Sequence, residues 1–180
     1  SPAPARTGRP PPPCTARPGV ANRLTLRAYA DSDWAGDAET RKSRTGWLLA
    51  LGGACVAWRS TLQTGYSQSS TEAEYVALAD AAKEVLWWRK LFRDMRWPCD
   101  PSTPLLVDNL GARQLAKGAG NFNRTKHIAL RYHTIRAWAA DGLVEAVPIS
   151  GLMNCADVLT KNTAVKLFGS LVFKKFGSLL

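Results

Sequence analysis

The sequence has only two histidines and four cysteines, and their spacing gives no zinc-binding motif. Cys14, Cys55, Cys99 and Cys155 lie far apart, without a C-x-x-C pair and without a histidine at ligand spacing. Structural zinc sites need closely spaced ligands, so the pattern excludes this class of site. We expect reduced thiols, as in proteins of the cytosol or nucleus.

Long apolar runs are also missing. No stretch of the sequence is long enough to span a membrane, and the N-terminal residues lack the apolar run of a signal peptide. We therefore expect an intracellular protein, cytoplasmic or nuclear, that is not secreted and has no membrane partner.

Charge and proline are distributed unevenly along the chain. Residues 1–23 carry seven prolines and four arginines but no acid, a composition typical of a disordered arm. Residues 163–180 form a tail of basic and apolar residues. Residues 24–162 hold 17 basic against 14 acidic residues, so most of the net charge of +10 comes from the two ends. We expect a single folded domain over residues 24–162.

The stretch YADSDWAGD concentrates acids in an otherwise basic chain. Asp31, Asp33 and Gly36 fit positions one, three and six of an EF-hand calcium loop. Position five is Ala35, however, and position twelve, which should be a bidentate glutamate, is Lys42. A calcium loop is therefore excluded, and these acids need another explanation.

Hydrophobic periodicity and turn residues predict the order β-β-β-α-β-α-α-β-α. A Gly-Gly pair predicts a hairpin between the second and third strands. The first long helix begins with a capping box, formed either by Ser69 with Glu72 or by Thr71 with Glu74. Asn154 is placed to cap the final helix. This order predicts an α/β fold with a mixed five-stranded sheet, in which three antiparallel strands precede two further strands and helices cover both faces.

Four acids lie where predicted strands end or predicted helices begin, positions that gather at one edge of a sheet. They are Asp31, Glu74, Asp108 and Asp157. Each also has a purely structural explanation, because Asp31 and Asp108 suit turns. Glu74 suits a capping box with Thr71, and Asp157 suits one with Asn154. These residues alone leave both explanations open.

Five separate motifs occur in one order and spacing over residues 26–162: YADSDWAGD…RKSRTGW, SSTEAEYVALADAAKEVLW, LLVDN, RTKHIALRYHTIR and ADVLTK. Together they closely resemble the ribonuclease H domain of copia-type retrotransposon polyproteins. The resemblance implies the ribonuclease H fold and endonucleolytic hydrolysis of the RNA strand of an RNA/DNA hybrid. In that family the domain is covalently attached to a reverse transcriptase segment.

The resemblance also implies a metal site. Asp31, Glu74, Asp108 and Asp157 match the family's metal-binding carboxylates one for one, as catalytic residues and as ligands of two Mg²⁺ ions, with Mn²⁺ as the alternative cation. Two hard cations need several shared carboxylates, which explains why four acids are required. Asp33 and Asp37 are then charges of the loop or near the site.

Substrate contacts call for other residues. Short polar groups can recognise the 2′ hydroxyls of the RNA strand, and basic groups can contact phosphates. The candidates are Asn109, Ser69, Ser70, Arg124, Lys126, His127 and Arg131. Helix capping is the alternative for the two serines, and a solvated helix face is the alternative for the basic group.

The sequence departs from the family in one loop. Many ribonucleases H carry a histidine after the last sheet strand, whereas the corresponding loop here, PISGLMN, has none. Three explanations stay open for this departure: metal-bound waters suffice, His127 reaches the site, or turnover is slow. Separately, two rival functions stay open: a catalytically inactive remnant of the same fold that binds nucleic acid or a partner, and a related metal-dependent nuclease that cuts DNA. We also expect the tryptophans within predicted elements, among them Trp47, Trp58, Trp87, Trp88 and Trp138, to lie in the core.

Overall fold

A computed structural model describes residues 25–118 and 129–161 of the chain. Its elements are, in order, β1 (Leu26–Asp33), β2 (Arg44–Leu51), β3 (Ala54–Leu62), α1 (Ser70–Asp94), β4 (Thr103–Val107), α2 (Leu110–Ala116), α3 (Ala129–Ala140) and β5 (Val144–Pro148). Two 3₁₀ helices follow, Gly151–Met153 and Cys155–Leu159. We call residues 154–161, which contain the second of them, the closing segment. The predicted order of elements is confirmed.

The five strands form one mixed sheet in the order β3-β2-β1-β4-β5. β1, β2 and β3 are antiparallel neighbours, while β4 runs parallel to β1 and β5 runs parallel to β4. Gly52 and Gly53 have φ angles of 58° and 87°, which is the left-handed backbone that the predicted hairpin needs. Because β1 and β4 are parallel and adjacent, their carboxyl ends lie at the same edge of the sheet.

The two faces of the sheet are covered differently. Alternate side chains of the strands, including Ala28, Leu49 and Leu105, pack with α1, α2 and α3 in the main core. The opposite face, with Tyr29 and Leu48, packs against the closing segment. Helical elements thus lie on both faces, but all three α-helices share one of them.

Two details differ from the expectations. β1 continues to Asp33 rather than ending near Asp31. The final helix is 3₁₀ rather than α, although Asn154 caps it as predicted, with its Oδ1 accepting from the amide of Ala156. The carbonyl oxygen of Leu159, at the end of this helix, accepts a hydrogen bond from the hydroxyl of Ser60 at 2.6 Å.

The expectation that the tryptophans lie in the core is wrong for two of them. Trp47 is buried, and Trp88 and Trp138 pack against the main core. Trp58 and Trp87 are more than half exposed. Trp58 lies on the edge strand β3, whose residues are largely exposed, and Trp87 lies on the solvent side of α1, beside Trp88.

Within residues 25–118 and 129–161, no helix combines the length and the apolar character needed to cross a membrane.

Arg89, a buried arginine of α1, fixes the connection between α1 and β4. Its guanidinium donates to the carbonyl oxygens of Asp100 and Pro101 at 3.0 and 2.7 Å and to the hydroxyl of Thr103 at 3.0 Å. Three acceptors in different directions suit a planar guanidinium better than a single ammonium. This contact places the start of β4, and with it the acid that follows β4.

We expect Arg89→Lys to lower the free energy of unfolding by about 1–3 kcal/mol, because buried acceptors lose their donors. Arg93→Lys is the matched control, since Arg93 lies on the same helix and its guanidinium forms an exposed pair with Asp94. Its effect should stay within about 0.5 kcal/mol. Urea unfolding of both variants checks this, and equal effects would contradict the role given to Arg89.

Candidate metal centre

Three acids from separate elements converge at one edge of the sheet. Asp31 lies near the end of β1, Asp108 directly follows the parallel neighbour β4, and Glu74 lies near the start of α1. One carboxylate oxygen from each residue lies within 4.8 Å of the other two. We call Asp31, Glu74 and Asp108 the carboxylate cluster.

The cap at the start of α1 is formed by residues other than Glu74. Ser69 is the N-cap, and its hydroxyl accepts from the amide of Glu72 at 3.2 Å. The carboxylate of Glu72 accepts from the amide of Gln68 at 2.9 Å. The Ser69 half of the first predicted capping box therefore forms, whereas Glu72 accepts from the amide before the N-cap residue, and Glu74 turns toward the sheet instead.

Burial makes negative charge costly in the carboxylate cluster. Asp31 and Glu74 are only 4% and 7% exposed, whereas Asp108 is exposed. Burial raises the pKa of Glu74 to about 8, with the charges of Asp31 and Asp108 adding to the effect. Burial likewise raises the pKa of Asp31 to about 6, and the charges of Asp157 and Asp108 contribute in the same direction. Neutralising charge is therefore favourable at this site.

The carboxylate of Glu74 offers an oxygen to a cation. Its Oε1 accepts from the backbone amide of Ser32 at 3.2 Å. Its Oε2 is buried and has no hydrogen-bond partner among the described residues. A buried, unpaired acceptor beside two further carboxylates is a donor set that fits a hard divalent cation such as Mg²⁺.

Asp157 lies beside the carboxylate cluster but outside the group of three. Its charge raises the pKa of Asp31, so the two carboxylates are close. Its own carboxylate forms an ion pair with Lys161, and this contact raises the pKa of Lys161. The structure thus brings three of the four predicted acids together and places the fourth next to them with a cationic partner.

Asp33 and Asp37 have local roles in the loop after β1. The carboxylate of Asp33 lies over Gly36, where an added Cβ would be 1.8 Å from its Oδ2. Asp37 accepts from the amide and the hydroxyl of Thr40, both at 2.7 Å, and these bonds lower the pKa of Asp37. Neither belongs to the carboxylate cluster.

Two predicted substrate contacts serve as helix caps. Besides Ser69, the side chain of Asn109 caps α2 by accepting from the amide of Ala112 at 2.9 Å. Ser70 is the exposed first residue of α1. Arg124, Lys126 and His127 lie outside the described residues, and the backbone of Arg131 belongs to the first turn of α3. Contact of any of these residues with a substrate stays a prediction.

Sequence reasoning missed three residues around the carboxylate cluster. Thr160 donates its hydroxyl to Oδ2 of Asp31, Lys161 pairs with Asp157, and the amide of Ser32 holds Glu74. The first two lie in the motif ADVLTK, in which Asp157 is the one residue predicted to belong to the site. The loop without histidine passes close to Asp108, because a Cβ added at Gly151 would lie 3.1 Å from Oδ2 of Asp108.

No model of a known protein family matches this chain. Among curated proteins, the retrovirus-related Pol polyprotein from transposon TNT 1-94 of Nicotiana tabacum is 38% identical over 136 residues, covering 76% of this chain and 10% of the relative. The retrovirus-related Pol polyprotein from transposon RE2 of Arabidopsis thaliana is 38% identical over 140 residues, covering 78% of this chain and 10% of the relative. The chain spans about a tenth of the length of these relatives.

Two solved structures show the same fold. The N-terminal RNase H domain of a Mycobacterium tuberculosis protein matches with a TM-score of 0.57 and 15% identity, over 82% of this chain and 97% of that one. LC11-RNase H1, solved in complex with an RNA/DNA hybrid, matches with a TM-score of 0.57 and 16% identity, over 79% and 99%. At these identities the likeness establishes the fold.

The raised pKa of Glu74 predicts a pH-dependent loss of stability in the metal-free protein. Folding favours the protonated form of Glu74, so this contribution is present in full below pH 4.5 and is lost as the pH rises through about 8. Glu74→Gln keeps the shape without the charge. At pH 8 we expect the free energy of unfolding of this variant to exceed that of the wild type by at least about 1 kcal/mol. This difference corresponds to less than one pKa unit.

Urea unfolding in EDTA at several pH values measures this difference. Glu84→Gln, on the same helix but outside the carboxylate cluster, is the matched control and should follow the wild type. Parallel pH profiles for wild type and Glu74→Gln would contradict the electrostatics described for the site.

Proposed function

Since the chain is homologous to a segment of the Pol polyproteins of copia-type transposons and has the ribonuclease H fold, we propose that it hydrolyses the RNA strand of RNA/DNA hybrids. The single observation that carries the proposal is the convergence of Asp31, Glu74 and Asp108 from β1, α1 and the end of β4. Buried acids that meet without a cation are unfavourable, so their convergence needs a functional reason.

The proposed cofactor is a pair of Mg²⁺ ions, with Mn²⁺ as a substitute. Asp31, Glu74, Asp108 and Asp157 would hold them, since carboxylate oxygens are the ligands that these hard cations prefer. When bound, the pair supplies the Lewis-acid chemistry that phosphodiester hydrolysis needs, namely activation of water and stabilisation of the leaving 3′ oxygen.

Residues of the chain prepare the site before any substrate arrives. Asp31 and Glu74 are buried and oriented, by Thr160 and by the amide of Ser32 respectively. Asp108 is exposed, so the carboxylate cluster opens to solvent on its side. Lys161 forms an ion pair with Asp157 and balances its charge. Asp157 would be released from this pair to take part in cation binding. These contacts leave the carboxylate cluster accessible from one direction, as a site for a long nucleic acid requires.

The proposed partners follow from the same homology. An RNA/DNA hybrid is the substrate, and its 2′ hydroxyls and phosphates would meet Asn109, Ser69 and Ser70 and the basic residues Arg124, Lys126, His127 and Arg131. A covalently linked reverse transcriptase segment is the second proposed partner. We place the activity inside the cell, in the cytoplasm or nucleus.

We expect Asp31→Asn to lower the Mg²⁺-dependent cleavage rate of a labelled hybrid by more than about 100-fold, because loss of even an outer-shell partner of a metal ligand costs roughly 10- to 100-fold. Asp33→Asn is the matched control two residues along the same strand and should keep most of the activity, since the Asp33 carboxylate lies over Gly36.

The assay includes hybrid, duplex RNA and duplex DNA, each with Mg²⁺ and with EDTA. Cleavage of the hybrid alone, and only with Mg²⁺, supports the proposal. Preferred cleavage of duplex DNA would identify a DNA nuclease instead. Hybrid binding without cleavage would identify an inactive remnant, and an active Asp31→Asn beside an inactive Asp33→Asn would move the proposed ligand by two residues.

A further inference from the structure

The closing segment docks onto a row of three residues that crosses the sheet. Asp31 of β1 pairs in register with Gly46 of β2, and Gly46 pairs with Ser60 of β3. Above this row lie Leu159 and Thr160, the last residues of the closing segment before Lys161. Each of the three residues in the row lies against Leu159, Thr160 or both.

Ser60 and Thr160 form hydrogen bonds at the two ends of this contact. The hydroxyl of Ser60 donates to the carbonyl oxygen of Leu159 at 2.6 Å. The hydroxyl of Thr160 donates to Oδ2 of Asp31, and both partners are buried. The same hydroxyl lies 3.1 Å from the carbonyl oxygen of Asp157. A hydroxyl has one hydrogen, and an ionised carboxylate is the stronger acceptor of the two.

Gly46 provides the space for this contact. A Cβ added at Gly46 would lie 2.6 Å from Cγ2 of Thr160 and 2.9 Å from Cβ of Leu159. It would also lie 3.1 Å from the carbonyl oxygen of Ala156. The oxygen of Ala156 is a backbone atom and the Cβ of Leu159 is bonded to the backbone, so a methyl group at this position would push the closing segment away from the sheet.

We infer that Thr160 is a positioning residue for Asp31. We also infer that glycine at position 46 leaves the space in which the Thr160 hydroxyl reaches the Asp31 carboxylate. A single hydrogen bond to Oδ2 fixes the plane of the Asp31 carboxylate and leaves its other oxygen for a cation. It also gives a buried acid a donor in a site crowded with negative charge. The inference rests on the proposed function, because it assigns Thr160 a role in cation binding.

Three further contacts keep the closing segment docked when the Thr160 hydroxyl is removed. The side-chain amide of Asn154, fully buried, donates to the carbonyl oxygen of Ala30 at 2.9 Å. Ser60 still holds Leu159, and Ala156 and Cys155 still pack with Tyr29 and Leu48. A hydroxyl deletion at Thr160 therefore tests orientation of Asp31 rather than folding of the segment.

The experiment compares Thr160→Val with Thr160→Ser in the full chain and measures Mg²⁺ affinity by calorimetry and by Mg²⁺-dependent thermal stabilisation. Valine keeps the shape of threonine without the donor, and serine keeps the donor. We expect Thr160→Val to weaken Mg²⁺ affinity roughly 10- to 100-fold, the usual cost of losing an outer-shell partner, and Thr160→Ser to restore most of it.

A glycine pair tests the docking itself. Gly46→Ala should weaken Mg²⁺ affinity and speed hydrogen exchange in the closing segment, whereas Gly65→Ala should change neither, because nothing lies within 4 Å of a Cβ at Gly65. Equal losses in Thr160→Val and Thr160→Ser, or no loss in either, would overturn the inference while leaving the proposed function standing. A wild-type protein that binds no Mg²⁺ would overturn both.

Discussion

The mutual repulsion of buried carboxylates is the constraint on which the rest of this structure depends. Asp31, Glu74 and Asp108 place an oxygen each within 4.8 Å of the others, and two of the three are almost fully buried. Such an arrangement does not form by itself. It is imposed by the parallel pairing of β1 with β4 and by the packing of α1 on the main core, whose apolar burial offsets the electrostatic cost. A bound divalent cation would turn the same repulsion into attraction.

Several contacts stabilise negative charge at this edge of the sheet in the absence of a cation. The amide of Ser32 and the hydroxyl of Thr160 donate to Glu74 and Asp31. Lys161 pairs with Asp157 nearby. Two of these three groups come from the closing segment, which carries the fourth acid as well. In the proposed site the closing segment would contribute in two respects, by supplying Asp157 and by donating the Thr160 hydroxyl to Asp31. Ser60 and Asp31 hold Leu159, the last residue of the 3₁₀ helix, and Thr160, its C-cap, against the sheet.

Much of the fold could be predicted from the sequence because it is encoded locally. The Gly52-Gly53 hairpin, the capping of α1 by Ser69 and the cap at Asn154 all depend on neighbouring residues. Features set by distant contacts could not be predicted in this way. Asp31 and Asp33 share β1 and its period, and they are distinguished by distant or loop contacts: Asp31 is buried and accepts from Thr160, whereas the Asp33 carboxylate lies over Gly36. The ion pair of Asp157 and the exposure of Trp58 likewise depend on which elements become neighbours.

We propose that the carboxylate cluster is a divalent cation site. Anomalous scattering from crystals grown with Mn²⁺ tests it most directly, since the cation is located without reference to activity. We expect an anomalous peak in contact with Asp31, Glu74 and Asp108, and we expect it to disappear in crystals of Asp31→Asn. Mn²⁺ bound elsewhere on the protein, with the three carboxylates left without a cation at saturating concentration, would contradict it.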